Sequence, residues 1–358
     1  MTIAFYAPMK APDHPVPSGD RALGRLLVRA LEATGEPVEI ACRLRTWDRT
    51  GDSVRQQRLA DLGARAARCL LARPRARSWR LWFTYHLYHR APDPIGPVVA
   101  SALGIPYVVA EASVAAKQAR GPFASGHAST IAALGTAAGV IAVNPVDVEG
   151  VRAVLPDPSR LGLLPPFLDL ANRPVTPITP PAEGPWLLAV GMFRARAKLA
   201  SYQVLGDALA RLLDRPWRLA VIGAGPAERE VRHALSALGA RVWFLGQQPD
   251  AIVAGWMAAA DLLVWPAIDE AFGMAVLEAQ AAGLPVVAGA SPGVGAVVRS
   301  GETALLPPLG DTAAFAEAVA WFLDQPDLRR AFGARAAAWV RSERDLPTAA
   351  ARLAALLP

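Results

Sequence analysis

The sequence predicts an α/β protein built from two doubly wound, Rossmann-like domains with parallel sheets. Three observations carry that expectation. Short apolar runs that read as strands alternate with amphipathic stretches along the chain, the pattern of βαβ units. The 358 residues, 53% of them apolar, are too many for one core and ample for two. A proline-rich stretch, residues 171–185 (ANRPVTPITPPAEGP), interrupts the alternation and reads as a stiff linker. The expected division is a first domain over 1–170, a linker over 171–185, a second domain over 186–341 and a terminal helix within 342–358.

Ile3–Ala7 is the first strand, and a loop from Pro8 to Gly19 leads to a helix over Asp20–Thr34. Leu23, Leu26, Leu27, Ala30 and Leu31 share one face of that helix, and Gly35 ends it. Ser18 and Gly19 therefore stand at a helix N-terminus after a strand, a geometry that suits an anion; a plain βα loop explains them equally well. Val38–Ala41 is the next strand, Ser53–Ala72 a basic helix, and Leu81–Tyr85 a strand ending at His86. Then come a helix over Asp93–Leu103, a strand over Tyr107–Ala110, a helix over Ala128–Ala138, and strands over Val140–Val143 and Leu161–Leu164. Ligands of such sheets lie at the carboxyl ends of the strands, which favours Ser18, Gly19, His86 and Glu111.

In the second half, Trp186–Val190 is a strand that runs into Gly191 and a loop carrying Arg194, Arg196 and Lys198 ahead of a helix over Leu199–Leu213. Leu219–Ile222 is followed by Gly223-Ala224-Gly225-Pro226. This holds two of the three glycines of a dinucleotide fingerprint, a weak match that argues against an oxidoreductase. Val242–Leu245 and Leu262–Trp265 are strands separated by a helix over Ile252–Ala260. The most informative stretch is Asp269–Gly289, DEAFGMAVLEAQAAGLPVVAG. A helix-compatible run opens at Gly273 and ends at Gly283, a residue suited to a C-terminal cap, before a strand over Leu284–Ala288. Glu278 is the anomaly in that apolar run, because a carboxylate there needs a partner or a ligand. Glu270 precedes the same helix, about 12 Å away along a helix axis. Two such acceptors flanking a helix N-terminus suit an elongated ligand with hydroxyls at both ends and an anion between. Gly289–Gly295 is a small-residue loop that permits close backbone approach to a ligand. Ala304–Leu306 is the last strand, and helices follow over Asp311–Asp324, Pro326–Arg341 and Leu346–Leu357.

Glu270-Ala-Phe-Gly-Met-Ala-Val-Leu-Glu278 and the residues up to Ala288 resemble the E-x7-E element of retaining glycosyltransferases of family 4. The resemblance is strong over 186–325 and architectural over 1–165. It implies a GT-B fold, two Rossmann-like domains with an interdomain cleft, whose terminal helix crosses back onto the first domain. It implies transfer of a sugar from a nucleotide diphosphate sugar with retention, without a metal, a separate cofactor or a covalent intermediate. By the same resemblance Glu270 meets the donor sugar and Glu278 the ribose. Lys198 and Arg194, or Arg196 in its place, hold the diphosphate, with Phe272, Gly273 and Met274 at the helix N-terminus. Gly225 sits in a turn packed near the nucleotide. The family often carries a His where Tyr107–Ala110 ends; here Glu111-Ala112-Ser113 follows instead, with His86 and His89 one βα unit earlier and Lys117 one turn later, and His86 is taken as the candidate. Alternatives on the same fold are a nucleotide-sugar epimerase and a non-catalytic nucleotide-sugar-binding protein.

Cys42 and Cys69 show no metal or disulfide spacing, and no Asp-x-Asp cluster occurs. Met1–Tyr6 reads as a strand rather than a signal peptide, and Gly and Pro break the longest uncharged run, Ala279–Val298. The expected location is cytoplasmic, with a peripheral place on the inner face of a membrane as the sharper alternative. The net charge is +6, and residues 21–80 hold 14 Arg against 6 acids. With no recognition fold or aromatic interleaving, nucleic acid is the weakest partner for that patch; an anionic membrane surface or a lipid-linked or carbohydrate acceptor suits it better. In the basic stretch Ser53–Arg80, Asp61 is the one acid expected to face the arginines.

Overall fold

The structure, a computed structural model, describes residues 1–16 and 18–358. The chain divides into two compact units, Met1–Pro166 with Leu346–Pro358, and Phe167–Asp345. The boundary lies at Pro166–Phe167, ahead of the proline-rich stretch. Residues 171–185 therefore belong to the second unit, and the terminal residues from Leu346 onward to the first.

The first unit alternates β1 (Thr2–Tyr6), α1 (Gly19–Glu32), β2 (Val38–Cys42), α2 (Ser53–Leu71), β3 (Trp79–Tyr88), α3 (Gly96–Leu103), β4 (Tyr107–Ser113), α4 (Ala124–Thr136), β5 (Gly139–Ala142), α5 (Val148–Arg152) and β6 (Leu161–Leu163). Its sheet is parallel throughout, in the order β2-β1-β3-β4-β5-β6, so the winding reverses between β1 and β3. Strands β1, β4 and β5 are buried almost end to end, which explains their unbroken apolar runs. The terminal helix, Leu346–Leu356, packs on α1.

Three local features depart from expectation. Helix α5 has too short an apolar pattern to be read from sequence. Strand β3 runs on to Tyr88 rather than stopping at Tyr85, because its pairing with β4 resumes past an interruption: Tyr85 pairs with Ala110, then Leu87 with Ala112. His86 and Glu111, skipped by the ladder, are left-handed, with φ of 67° and 56°. Asp93 does not begin α3. Its Oδ1 accepts from the Ile95 and Gly96 N–H groups at 2.8 Å, and its Oδ2 accepts from the Thr84 hydroxyl at 2.6 Å and the Tyr107 hydroxyl at 3.1 Å. Four donors on one buried carboxylate lock the start of α3 to β3 and β4.

The second unit alternates β7 (Trp186–Val190), α6 (Ala197–Ala210), β8 (Arg218–Ile222), α7 (Glu228–Ala234), β9 (Val242–Gly246), α8 (Asp250–Ala259), β10 (Leu262–Trp265), α9 (Met274–Ala281), β11 (Val286–Ala288), α10 (Pro292–Gly295) and β12 (Ala304–Leu305), followed by α11 (Thr312–Asp324) and α12 (Pro326–Glu343). The sheet is again parallel, ordered β12-β11-β10-β7-β8-β9. That is the doubly wound order of dinucleotide-binding folds, with the reversal between β7 and β10. The proline-rich segment lies docked on α8. Thr176 N–H donates to the Ala251 carbonyl at 2.9 Å, and a Cβ on Gly255 would stand 1.9 Å from the Thr176 oxygen. Among the described residues no helix is long and apolar enough to cross a membrane.

Candidate functional site

Two loops at the β7/β10 reversal carry the candidate residues of the second unit. The first, after β7, leads to Lys198 in the opening turn of α6. The second, after β10, leads through Glu270 to α9. Their register is fixed by hydrogen bonds. The Ser201 hydroxyl on α6 accepts from the Ile268 N–H at 3.0 Å, and the Tyr202 hydroxyl donates to the Gly191 carbonyl at 2.9 Å. Lys198 Nζ is thereby brought onto Glu270 Oε2 in an ion pair. Trp265 Nε1 donates to the same oxygen at 3.0 Å, and Lys198 Nζ stands 5.1 Å from the centre of the Trp265 ring. The pair is partly shielded, with 24% of the Lys198 and 17% of the Glu270 side chain exposed. The sequence does not single out Trp265, because an aromatic at a strand end is too common a core residue to signal a site.

Backbone strain concentrates here. Of the five non-glycine residues with positive φ among those described, Arg196, Ala267 and Asp269 lie in these two loops, and His86 and Glu111 are the others. Gly273, the N-cap of α9, is left-handed with φ 62° and offers no side-chain cap, so the first N–H groups of α9 receive no side-chain acceptor. Phe272 and Met274, on either side of it, are partly exposed. Arg194 and Arg196 are both exposed, and neither side chain makes a hydrogen bond or ion pair among the described residues, so neither is distinguished from the other.

The glycines have packing roles. Gly225 approaches Phe193, whose carbonyl oxygen would stand 2.3 Å from a Cβ there, and the Gly223–Gly225 turn braces the Arg194 loop. Phe193 N–H donates to the Ala224 carbonyl at 2.9 Å and Ala227 N–H to the Phe193 carbonyl at 3.0 Å. In the loop after β11, Gly289 abuts the Pro266 carbonyl and Gly293 the carbonyls of Glu270 and Ala271. These glycines admit a close approach of the loop that carries Glu270.

Glu278 projects from α9 with 34% of its side chain exposed. Its partner is Arg173, at the head of the proline-rich segment: Nη2 lies 3.5 Å from Oε2, and Nη1 donates to the Glu278 backbone carbonyl at 3.0 Å. Burial raises the Glu278 pKa above its ordinary value, with Arg173 opposing and Asp250 adding to the rise. Nothing in the sequence pointed to Arg173, one arginine of 34.

In the first unit, Ser18 caps α1, accepting from the Arg21 N–H at 3.3 Å, and Lys10 Nζ donates to its hydroxyl at 2.9 Å. Gly19 has open space around it. His86 Nδ1 stands 3.6 Å from both Asp20 Oδ1 and Glu111 Oε2. His86 Nδ1, Glu111 Oε2 and the Tyr85 hydroxyl are all buried without a hydrogen-bond partner. Burial pushes the His86 imidazole down, with Asp20 opposing, and the Glu111 carboxyl well up, with Tyr85 opposing and Asp20 and Asp147 reinforcing the rise. Both groups are thus driven toward their uncharged forms. The sequence does not mark Lys10, Asp20 or Tyr85, because their convergence is tertiary. No three His, Cys, Asp or Glu side chains among the described residues converge as a metal site requires.

Around α2, the expectation that Asp61 alone opposes the arginines does not hold. Arg55 stands 3.5 Å from Asp48, Arg75 3.1 Å from Glu39, and Arg80 pairs with Glu36, while Asp61 accepts from Gln57 at 3.0 Å. Arg58, Arg65, Arg68, Arg73 and Arg77 remain exposed and unpaired among the described residues.

Residues 184–325 match the family model described as Glycosyl transferases group 1. The phosphatidyl-myo-inositol mannosyltransferase of Mycobacterium leprae is 37% identical over 164 residues, 45% of this chain and 43% of that protein. A D-inositol 3-phosphate glycosyltransferase of Streptomyces scabiei is 44% identical over 90 residues, 25% of this chain and 20% of its own. The chain spans less than half the length of these curated relatives. Among solved structures, the sucrose-phosphate synthase of Thermosynechococcus elongatus superposes with a TM-score of 0.75 at 23% identity, covering 99% of this chain and 98% of that one. Anabaena HepE in complex with UDP and glucose gives 0.71 at 17% identity, over 99% and 98%. The two-sheet α/β fold is the one these structures share.

Proposed function

From the premise that residues 184–325 form a glycosyl transferases group 1 domain, we propose that the protein transfers a sugar from a nucleotide diphosphate sugar to a hydroxyl acceptor, with retention of configuration. The observation that carries this reading is the Lys198–Glu270 pair at the β7/β10 reversal, beside the uncapped N-terminus of α9. A diphosphate draws on Lys198, Arg194 and the α9 N–H groups, which supply positive charge where the leaving group becomes more negative. The reading needs no metal. Glu270, relieved of Lys198, accepts from a donor-sugar hydroxyl, and Glu278 accepts from the ribose. HepE, solved with UDP and glucose, supports a uridine donor as the first to try.

The acceptor side is assigned to the first unit. His86 and Glu111, both driven by burial toward their uncharged forms and each with one buried polar atom that lacks a hydrogen bond, suit a neutral hydroxyl. The acceptor is a carbohydrate or a lipid-linked polyol, in line with the names of the relatives. The free arginines of α2 and the segment after it are the surface for an anionic membrane, on the inner face of which the protein works peripherally.

The test is product analysis with UDP- and GDP-sugars, each with and without a panel of sugar, inositol and polyprenyl-phosphate acceptors. Acceptor-dependent release of the nucleoside diphosphate supports the proposal. Conversion of the donor sugar without acceptor identifies an epimerase, and binding without turnover across the panel a binding protein.

A further inference from the structure

The proline-rich segment is a docked strap of the second unit, and its first cation reaches the carboxylate assigned above to the ribose. We propose that Arg173 is a positioning residue for the nucleotide, holding the Glu278 carboxylate in the orientation that receives the ribose hydroxyls; this rests on the reading of Glu278 given under Proposed function.

Arg173 meets Glu278 twice. Nη1 donates to the Glu278 carbonyl at 3.0 Å, and Nη2 stands 3.5 Å from Oε2. Nη2 also lies 3.3 Å from Met257 Sδ on α8, so the guanidinium bridges the two helices. Only a planar fork on a long stem makes these contacts together, whereas an ammonium offers one point charge. At 3.5 Å the carboxylate contact steers by charge without consuming a lone pair. The Glu278 oxygens accept no hydrogen bond from the described residues, so their lone pairs remain for donors outside the chain. One side chain thus orients a carboxylate and leaves its acceptors open.

The strap is built to deliver this contact. Pro174 fixes the backbone directly after Arg173, and Thr176 N–H bonds to the Ala251 carbonyl at 2.9 Å. Gly255 has no Cβ where the Thr176 carbonyl and Ile178 press on α8. The charged groups that act on Glu278 are Arg173 from the strap and Asp250 from the first turn of α8. Removing Arg173 leaves burial and Asp250 unopposed. The carboxyl then takes up a proton at higher pH than before, and an acceptor for the ribose is lost as pH falls.

Isothermal titration of the full chain with UDP and with GDP tests this on wild type, Arg173→Met, Arg173→Lys, Glu278→Ala and the Arg173→Met/Glu278→Ala double variant. The expected result is that the better nucleotide binds wild type and binds Glu278→Ala at least about fivefold more weakly. Arg173→Met should lose affinity by no more than Glu278→Ala does, the loss growing as pH falls, with Arg173→Lys restoring only part. In the Glu278→Ala background the Arg173→Met change should cost less than about twofold, because the residue acts through Glu278. The same loss in both backgrounds, or a loss independent of pH, overturns the positioning role while leaving the ribose reading intact. No loss in Glu278→Ala, or no binding of either nucleotide to wild type, overturns the ribose reading itself and the positioning role with it.

Discussion

Replacing Lys198 with alanine isolates the charge assigned to the leaving group. In the free protein Lys198 already has an anionic partner, Glu270, so accepting a diphosphate exchanges one anion for another and the ground-state gain is small. The gain comes as the sugar–phosphate bond breaks and charge builds on the diphosphate. A unit charge at about 4 Å is worth about 4 kcal/mol in a partly shielded site, and bond breaking develops a fraction of one. Removing one such donor costs about 2.7–4 kcal/mol in comparable sites, which is about 10²–10³ in kcat. The donor KM should change far less, within about fivefold. The variant also leaves Glu270, 17% exposed, with Trp265 Nε1 as its one side-chain donor among the described residues. That costs about 1–3 kcal/mol of stability, so kinetics must be read well below the lowered Tm. Steady-state release of nucleoside diphosphate, fitted for kcat and KM, is the assay. A rise in KM with kcat unchanged would refute the reasoning, since it marks a uniform binder.

Three further outcomes follow from the geometry. Glu270→Ala should spare nucleotide affinity and lower turnover, whereas Glu278→Ala should weaken affinity about five- to a hundredfold; titration calorimetry beside turnover separates them, and equal effects in both variants contradict the division of roles. Glu111 has its folded pKa raised well above 4.5, so between the two values the folded state holds a proton that the unfolded state has released, and stability falls as pH rises through that window. Glu111→Gln should accordingly raise Tm at pH 7–8 and gain little at pH 5, and a pH-independent difference speaks against the buried carboxyl as its source. The free arginines should bind anionic vesicles at low salt and release at high salt, with Arg58/Arg65/Arg68/Arg73→Ser abolishing the effect. Co-sedimentation of wild type in the supernatant under all conditions leaves α2 as an ordinary surface helix.

Much of the fold is legible in the sequence because parallel strands buried on both faces must be apolar throughout, as Val108–Ala110 and Leu262–Trp265 are. The second-unit site is legible for a related reason. Glu278 in an apolar helix is chemically conspicuous, and Lys198 stands out among 34 arginines. What escapes is what depends on contacts between distant segments. Arg173 looks like any linker arginine until the strap docks on α8. Asp93 reads as a helix start, yet its four donors come from β3, β4 and α3. The left-handed pair His86 and Glu111 breaks a ladder that both strands' propensities favour, and strand propensity carries no sign of φ. The glycines carry a packing role that the sequence does not show: Gly225 and Gly293 admit the protein's own carbonyls.

The central claim, a nucleotide diphosphate sugar held by Glu278 and the α9 N-terminus, is tested most directly by thermal unfolding across UDP-, GDP-, ADP- and dTDP-sugars, with wild type and Glu278→Ala. Binding at a hundredfold excess over Kd contributes about 2.7 kcal/mol, a rise of several degrees in Tm. The account predicts such a rise with at least one donor, largely lost in Glu278→Ala. Unchanged Tm of wild type with every nucleotide sugar, or an equal rise in both proteins, would contradict it.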